Sequence, residues 1–351
     1  MINARLQKWE SLGLLRKLST STNLIDLTSN DYFGFARTER IEKACTGATG
    51  SRLLTGNSPF YEQLEEQIAK FHRAESCLIY NSGYTANLGL ISALGTDSTT
   101  FLYDLDIHAS IIDGMRLGKG KKFPFRHNDL ASLEQRLKKA SPPIFVLIES
   151  IYSISGELAP IENIVELCSQ YAADLIVDEA HATGNCGSYG EGLVCQLNLE
   201  SKVFARVHTF SKALGTHGAC VLGTHRLKEY LINFSRPLIY TTALPPSALA
   251  HIAFSYEKLK KEGQSHQQRL QYLIAYFCNK AGMRTTCSPI QPFYIGSVDK
   301  ARAISQALHK KGVDVRAIVP PTISKGKECL RVVLHSFNQE AEIDRLIEAL
   351  A

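Results

Sequence analysis

Several short segments of the chain are apolar at every position and lack the alternation of a strand that exposes one face to water. Such runs occupy residues 77–80, 144–148 and 175–177, and turn-forming residues bound each of them. Apolar residues recur at helical spacing in segment 62–71, before the first run, and in segment 161–171, between the last two runs. Strands that are apolar on both faces and separated by helices are typical of a mostly parallel sheet covered on both sides. The pattern predicts an α/β fold.

The pattern changes after residue 236. A long stretch of helical periodicity, roughly 247–281, leads into shorter alternating segments at 291–295 and 330–334. These elements are typical of a smaller α+β domain. We therefore expect three parts, namely an N-terminal arm at 1–45, a large domain at 46–235 and a small C-terminal domain at 236–351.

Composition excludes some classes of protein. Of the 351 residues, 44% are hydrophobic and 21% are charged, which is ordinary for a soluble globular protein. The formal charge of +5 is spread along the chain, and we expect the densest basic run, Lys119–Lys122, to be a solvated turn. Nucleic acid is therefore not an expected partner, whereas anionic small molecules are.

The sequence gives no indication of a membrane or secretory destination. No apolar run reaches the ~18 residues that a membrane span needs, and the N-terminal segment lacks the apolar core of a signal peptide. The nine cysteines are scattered without a CxxC pair, which argues against a disulfide scaffold or a metal cluster and for a reducing compartment. We expect a cytoplasmic protein with no bound metal and no membrane partner.

A carboxylate lies where the apolar strand 175–177 is expected to end. Open α/β folds bind ligands at the carboxyl edge of the sheet, so Asp178 and His181, three residues later, could project into one pocket. The alternative is that Asp178 caps a helix and His181 lies at the surface. This segment alone does not decide between the two interpretations.

A second strand end carries a lysine among hydroxyl groups. Thr209 and Ser211 flank Lys212, and glycines at 215 and 218 allow the backbone to turn tightly. A lone lysine is usually solvated. A lysine with two hydroxyl neighbours is a better candidate for an amine that forms an imine in an anion site.

A third segment, Asn81–Asn87, passes from a strand through a glycine turn into a helix. Exposed N–H groups at such a helix start can hold a phosphate, here near Ser82 and Gly83, while Tyr84 could add a ring to the pocket wall. Ser82 could instead be a plain helix cap. Neither a P-loop nor a GxGxxG turn occurs, so nucleoside triphosphates and dinucleotides are not expected as main cofactors.

The three segments together supply what pyridoxal 5′-phosphate (PLP) needs. Lys212 would form the imine, and Asp178 would keep the pyridine nitrogen protonated so that the ring can accept electrons. Ser82, Gly83 and nearby hydroxyl groups would bind the phosphate. We therefore predict a PLP-dependent enzyme.

Ordered motifs across nearly the whole chain resemble those of one enzyme family. They are Ser29–Gly34, Gly47–Arg52, Asn81–Tyr84, His108–Gly114, Glu149–Gly156, Asp178–His181, Thr209–Lys212, Pro320–Thr322 and Leu330–Arg331. This family is the α-oxoamine synthases, among the fold-type I PLP enzymes. The resemblance implies a mostly parallel sheet in a large domain with a smaller α+β C-terminal domain. It also implies a homodimer that binds an amino acid and an acyl thioester.

The resemblance further implies roles around the cofactor. His108 would stack on the pyridine ring, and Ser153 and His181 would contact the phenolic oxygen or the ring. Thr209 would bind the phosphate, with Ser211 beside it. The catalytic residues would be His108, Asp178, His181 and Lys212.

Substrate contacts are implied in the same way. Arg331 resembles the arginine that pairs with the amino-acid carboxylate, a task suited to a planar bidentate donor. A cross-strand salt bridge is the alternative role for Arg331. Asn30 and His108 would lie near the substrate, and Arg16 and Thr322 align with positions that contact it.

Three stretches, 126–129, 290–292 and 320–322, resemble the biotin-pathway branch of the family, which joins alanine to a pimeloyl thioester of coenzyme A or an acyl carrier protein. The alternatives are glycine with acetyl-CoA, an aminotransferase of the same fold, and a cofactor-binding protein without turnover. Two departures concern recognition of the acyl chain and coenzyme: Val319 stands where many members carry arginine, and Tyr61 where histidine is common.

Overall fold

The computed structural model describes residues 7, 9–14, 24–37, 47–284 and 286–350. The larger of two compact units comprises Phe33–Ser153 and Glu157–Gln267, and the smaller comprises Met1–Tyr32, Ile154–Gly156 and Gln268–Ala351. The border between them at residues 267 and 268 falls inside one helix, where the hydrophobic pattern gives no signal. The predicted division at 45 and 235 differs from these units and stays a prediction.

The elements of the described chain are numbered in chain order. The strands are β1 (Ile25–Asp26), β2 (Ser76–Tyr80), β3 (Thr100–Asp104), β4 (Lys121–Phe125), β5 (Ile144–Glu149), β6 (Asp174–Asp178), β7 (Ala205–Thr209), β8 (Ala219–Gly223), β9 (Ile290–Tyr294), β10 (Val313–Asp314), β11 (Arg316–Ile318) and β12 (Cys329–Val333). The α-helices are α1 (Pro59–Phe71), α2 (Gly83–Leu94), α3 (Ala109–Leu117), α4 (Leu130–Leu137), α5 (Ile161–Gln170), α6 (Leu193–Gln196), α7 (His225–Phe234), α8 (Arg236–Ile239), α9 (Pro246–Lys280), α10 (Val298–Lys310) and α11 (Glu340–Leu350).

Seven strands of the larger unit form one sheet in the order β2-β8-β7-β6-β5-β3-β4. The neighbouring pairs from β4 to β7 are parallel, and β8 runs antiparallel to both of its neighbours. The predicted mostly parallel sheet is therefore confirmed. The three apolar runs of the sequence are its strands β2, β5 and β6.

Apolar side chains cover both faces of this sheet. Val146 and Ile148 of β5 belong to one buried cluster, while Phe145 and Leu147 of the same strand belong to another. Because successive side chains of a strand point to opposite faces, a strand that is covered on both sides must be apolar at every position. This burial explains the runs without alternation.

The basic run Lys119–Lys122 is only partly the turn that its composition predicts. Lys121 and Lys122 begin β4, the edge strand next to β3, and both side chains are exposed. Lysines on an edge strand hinder pairing with another chain. The predicted solvation is confirmed, but the predicted turn is wrong at Lys121 and Lys122, which belong to a strand. Exposed charged residues can adopt extended backbone at the edge of a sheet.

The helices agree closely with the periodic segments. Helix α1 begins after Ser58, whose hydroxyl accepts a hydrogen bond from the Tyr61 N–H, with Pro59 in the first turn. Helix α5 coincides with segment 161–171, and the 35-residue α9 coincides with segment 247–281. Within the described residues, no helix combines the length and the apolar character needed to cross a membrane.

The smaller unit contains an antiparallel sheet in the order β11-β12-β9, and β1 pairs in parallel with β10. Helices α10 and α11 accompany these strands, so the predicted α+β character of the C-terminal region is confirmed. Its fully buried apolar side chains include Phe277, Leu330, Val332, Ile343 and Leu346.

Candidate active site

A cavity of about 190 Å³ lies in the larger unit beside the carboxyl ends of β5, β6 and β7. Its lining consists of Ser82, Gly83, Tyr84, Asn87, His108, Glu149, Asp178, Ala180, His181, Thr209, Ser211 and Lys212. Nine of these residues were predicted from the sequence as cofactor or catalytic residues. The fold brings them together because parallel strands end at the same edge of a sheet.

The start of helix α2 forms one wall of the cavity. The Ser82 hydroxyl caps the helix by accepting from the Thr85 N–H, and the Thr85 side chain accepts in return from the Ser82 N–H. A Cβ on Gly83 would lie 2.4 Å from Thr209 Cγ2, so glycine is required for the helix to approach β7 this closely. Helix N–H groups and the Thr209 hydroxyl thus meet at one point, an arrangement that suits a phosphate.

Asp178 is held at the end of β6 by two donors. Its Oδ2 accepts from the Asn87 side-chain amide at 2.7 Å, and its Oδ1 accepts from the Ala180 N–H at 2.9 Å. The residue is 5% exposed. No helix begins directly after Asp178 in the described structure, where turns follow instead, so the helix-cap alternative is wrong. His181 is also buried, which excludes its surface alternative.

Glu149 is a buried acid in the cavity that sequence reasoning missed. It ends β5 directly opposite Asp178 of β6, and its Oε2 accepts from the Ser153 N–H at 3.0 Å. Its Oε1 is buried without a hydrogen-bond partner among the described residues. Burial first, and then the Asp178 carboxylate, raise the pKa of Glu149 well above its ordinary value, while Lys212 opposes this. An acid at the end of an apolar strand, as at Asp178, was the signal that could have revealed it.

Ser153, which the family motif assigns to the cofactor, does not line this cavity. Its backbone N–H holds Glu149, and its side chain is half-buried. The predicted contact of Ser153 with the phenolic oxygen or the ring stays a prediction.

His108 precedes helix α3 and is fixed through one ring nitrogen. Its Nδ1 accepts from the Ser110 N–H at 3.2 Å and lies 2.7 Å from the Ser110 hydroxyl. Although His108 is exposed toward the open cavity, the surrounding protein desolvates it enough to lower its pKa. The Asp178 carboxylate opposes this shift and Lys212 adds to it. The ring is therefore neutral near pH 7.

Lys212 lies in a tight loop after β7. Its Nζ is 3.5 Å from the Thr209 hydroxyl, and its carbonyl accepts from the Gly215 N–H at 2.9 Å. Gly215 has a φ of +61°, and a Cβ there would lie 2.2 Å from the Ala36 nitrogen. The loop therefore depends on glycine at this position. Ser211, beside Lys212, is exposed.

Tyr84 lines the cavity with its ring 44% exposed. Its hydroxyl donates to the Asp113 carboxylate, which also accepts from Arg116. The predicted role of Tyr84 at the pocket wall fits this place, but its hydroxyl has a surface partner.

A buried polar group joins the two strand ends that carry Asp178 and Thr209. His208 Nε2 lies 3.3 Å from Glu179 Oε2, and His208 Nδ1 lies 2.9 Å from the Thr183 hydroxyl. That hydroxyl donates to the Glu179 carbonyl at 2.8 Å. The Thr183 hydroxyl therefore links the His208 ring to the Glu179 backbone, whereas His208 Nε2 and Glu179 Oε2 make no hydrogen bond with each other.

The predicted substrate residues of the smaller unit lie as follows. Arg331 on β12 donates from Nη2 to Asn30 Oδ1 at 3.1 Å, and the Tyr32 hydroxyl donates to the same oxygen at 3.4 Å. Thr322 is exposed, and its N–H donates to the Val319 carbonyl. Arg16 lies outside the described residues. The substrate roles of these four residues, and of His108, stay predictions.

A larger cavity of about 490 Å³ lies elsewhere in the larger unit. Its most buried charge, Glu65, already binds Arg52, Lys228 and the Ile79 N–H. The Arg52 guanidinium also lies 3.9 Å from the ring centre of Tyr61, which stands where histidine is common in the family. Because these charges are mutually paired, the smaller cavity is the better candidate for catalysis.

Comparisons with known proteins identify the family of the chain. The model of the aminotransferase class I and II family matches residues 22–350. An 8-amino-7-oxononanoate synthase of Emericella nidulans is 42% identical, with 99% of this chain and 93% of that protein covered. A putative 8-amino-7-oxononanoate synthase of Geobacillus kaustophilus is 38% identical, with 100% and 96% covered.

Solved structures give the same picture. The 8-amino-7-oxononanoate synthase of Francisella tularensis has a TM-score of 0.82 and 29% identity, over 93% of this chain and 96% of that one. Serine palmitoyltransferase of Sphingomonas wittichii has a TM-score of 0.88 and 27% identity, over 99% and 95%. The chain therefore belongs to the aminotransferase class I and II family and, within it, to the family of the 8-amino-7-oxononanoate synthases.

Proposed function

We propose that the chain is a PLP-dependent acyltransferase of biotin biosynthesis. It condenses L-alanine with a pimeloyl thioester to give 8-amino-7-oxononanoate, with release of CO₂ and the free thiol. The observation that carries this proposal is the full-length similarity to synthases of that name, at up to 42% identity among the relatives reported above. The cavity lined by Lys212 and Asp178 could hold the cofactor and the reacting substrate.

The residues of the cavity fit PLP. The helix start at Gly83, next to Thr209, suits the phosphate, and the closeness of these two residues leaves no room for a Cβ. Asp178 presents a carboxylate fixed by two donors, which suits a protonated pyridine nitrogen. Lys212 lies at the same cavity, as a covalent link to the cofactor requires. When bound, PLP accepts the electron pair of the bond that breaks at the α-carbon of the substrate.

The protein's own groups then have separate tasks. Asp178 would hold the proton on the pyridine nitrogen, and the Lys212 amine would take the α-proton of alanine as general base. His181 donates to the thioester oxygen as negative charge develops there. His108 covers the ring and Ser153 contacts it or its phenolic oxygen.

Substrate recognition is assigned to other residues. Arg331, supported by Asn30, binds the alanine carboxylate through its planar donor pair. Thr322 contacts the acyl substrate, and Arg16 pairs with the terminal carboxylate of the pimeloyl chain. We further place the enzyme in the cytoplasm as a homodimer, as the family resemblance implies.

The test is an assay of thiol release over a small matrix of amino acids and acyl thioesters, with mass analysis of the product. Alanine with pimeloyl-CoA or pimeloyl carrier protein should release thiol and yield the amino ketone. Faster turnover of glycine with acetyl-CoA would instead support the rival synthase. Exchange of amino and keto acids without thiol release would indicate an aminotransferase. Cofactor binding without any turnover would indicate a cofactor-binding protein.

A further inference from the structure

A chain of hydrogen bonds, buried between Asp178 and Ser110, connects Asp178 with His108 through two residues that have no assigned role. The Asn87 amide nitrogen lies 2.7 Å from Asp178 Oδ2 and 3.0 Å from the Ser110 hydroxyl. The Ser110 hydroxyl lies 2.7 Å from His108 Nδ1. Asn87 is 2% exposed and Ser110 is 0% exposed. Four side chains from three parts of the larger unit thus form one continuous path.

The direction of each hydrogen bond in this path follows from donor and acceptor chemistry. A carboxylate only accepts, so Asn87 must present its NH₂ group to Asp178. The same nitrogen donates its second hydrogen to the Ser110 oxygen. The Ser110 hydroxyl hydrogen is then available for His108 Nδ1.

The backbone fixes the last step independently. The Ser110 N–H also donates to His108 Nδ1, at 3.2 Å. Since a backbone N–H cannot accept, Nδ1 must carry a lone pair and the proton of the neutral ring must lie on Nε2. The Ser110 hydroxyl and the Ser110 N–H are therefore compatible with the same tautomer of His108.

The orientation of the Asn87 amide leaves one of its own atoms unsatisfied, which indicates that its neighbours enforce this orientation. The Asn87 Oδ1 is buried without a hydrogen-bond partner among the described residues. An unsatisfied buried carbonyl is expensive, and an amide with free choice would turn to satisfy it. Turning Asn87 would bring its oxygen against the Asp178 carboxylate, so the carboxylate holds the amide in place.

We propose that Asn87 and Ser110 are positioning residues that hold His108 in its neutral, Nε2-protonated form and couple that form to the carboxylate of Asp178. The cavity then offers a hydrogen-bond donor from His108 beside the Asp178 carboxyl group. The charges of Asp178 and Lys212 act on the His108 ring, and the Glu149 carboxyl group lies near the His108 backbone. All three residues line the same cavity. The use of this donor by the substrate rests on the proposed function, but the tautomer does not.

The experiment uses full-length protein with isotope-labelled histidine and no added cofactor. Nitrogen NMR reports which ring nitrogen carries the proton, and loss of a signal in His108→Asn assigns the residue. The wild type should show the Nε2-protonated neutral ring at pH 7.5. An Nδ1-protonated or doubly protonated ring would overturn the proposal without the need for any further variant.

A double-mutant cycle tests the coupling. Ser110→Ala and Asn87→Ala should each raise the proton affinity of His108, by roughly threefold, because donors to Nδ1 stabilise the neutral ring. The double variant should show less than the sum of the two effects, since both act through one path. Ser92→Ala, on the same helix as Asn87, is the matched control and should change nothing.

Fully additive effects, or no change in either single variant, would contradict the coupling. A cofactor titration is the second measurement. The PLP affinity of Asn87→Ala should be roughly tenfold weaker than that of the wild type, because Asp178 loses a hydrogen-bond donor. If the wild type itself bound no PLP, the proposed function would fail, whereas the histidine measurements would still decide the present inference.

Discussion

Glu149 and Asp178 stand directly opposite each other on the neighbouring parallel strands β5 and β6, and both carboxyl groups are buried beside one cavity. Two donors hold Asp178, whereas one oxygen of Glu149 has no partner among the described residues. Burial first, and then the charge of Asp178, raise the pKa of Glu149 well above its ordinary value. The cavity therefore holds, beside Asp178, a buried acid that keeps its proton more readily than an ordinary glutamate.

Glu149→Gln should leave PLP binding intact and stabilise the cofactor-free protein at neutral pH. Because burial and Asp178 raise the pKa of folded Glu149 above its ordinary value of 4.5, its contribution to stability is present at low pH. It is lost as the pH rises toward the folded pKa, where the unfolded carboxyl is ionised and the folded one is not. Urea unfolding at pH 5 and pH 8 should show a gain that is larger at pH 8. The surface control Glu166→Gln should show no such trend, and a gain confined to pH 5 would contradict the account.

Asp178→Asn should reduce turnover roughly 10²- to 10⁴-fold, since the pyridine nitrogen loses its anionic partner. The new NH₂ group would also face a donor, either the Asn87 amide or the Ala180 N–H. PLP affinity should fall by a smaller factor than turnover. Steady-state kinetics and cofactor titration measure both quantities, with Asp97→Asn, whose side chain is 86% exposed, as the surface control. A variant with near wild-type turnover would refute the role of Asp178.

His127 should make stability depend on pH above neutrality. Its side chain is 19% exposed and lies 2.9 Å from Asp104 and 3.0 Å from Glu157. Burial lowers the pKa of His127, but the hydrogen bond and charge of Asp104 outweigh this and, with Asp106 and Glu157, raise it to about 9.

The stabilisation from His127 is fully present below its ordinary pKa of 6.5 and is lost as the pH rises through about 9. The free-energy difference between the wild type and His127→Gln should therefore shrink by at most about 3 kcal/mol between pH 6 and pH 10. Urea unfolding across this range measures it, with the exposed His309→Gln as control. A pH-independent difference would show that His127 is not charged in the folded protein.

Arg16→Ala should erode the preference for pimeloyl over acetyl thioesters. An arginine paired with the terminal carboxylate is worth roughly 1–3 kcal/mol over a methyl-ended chain. The thiol-release assay with both thioesters and with alanine and glycine measures the loss. An exposed arginine that only complements a helix end would leave the preference unchanged. Faster wild-type turnover of glycine with acetyl-CoA would refute the substrate assignment altogether.

The sequence predicts the elements that position the site better than the contacts within it. Strands β5 and β6 are apolar at every position because both faces are covered, so their ends, and hence Asp178, are visible in the pattern. Asn87 and Glu149 were missed because their importance arises from partners far away in the chain, Asp178 above all. Strand β4 was missed because an exposed edge strand needs no apolar residues at its start.

The central claim is that Lys212 carries the cofactor, and one measurement tests it most directly. The purified protein with PLP is reduced with borohydride, digested and analysed by mass spectrometry for the peptide that holds the reduced cofactor. The account predicts one labelled peptide, which contains Lys212, and no label in Lys212→Ala, although that variant should still bind PLP weakly. A label on another lysine, with Lys212 unmodified, would contradict the account.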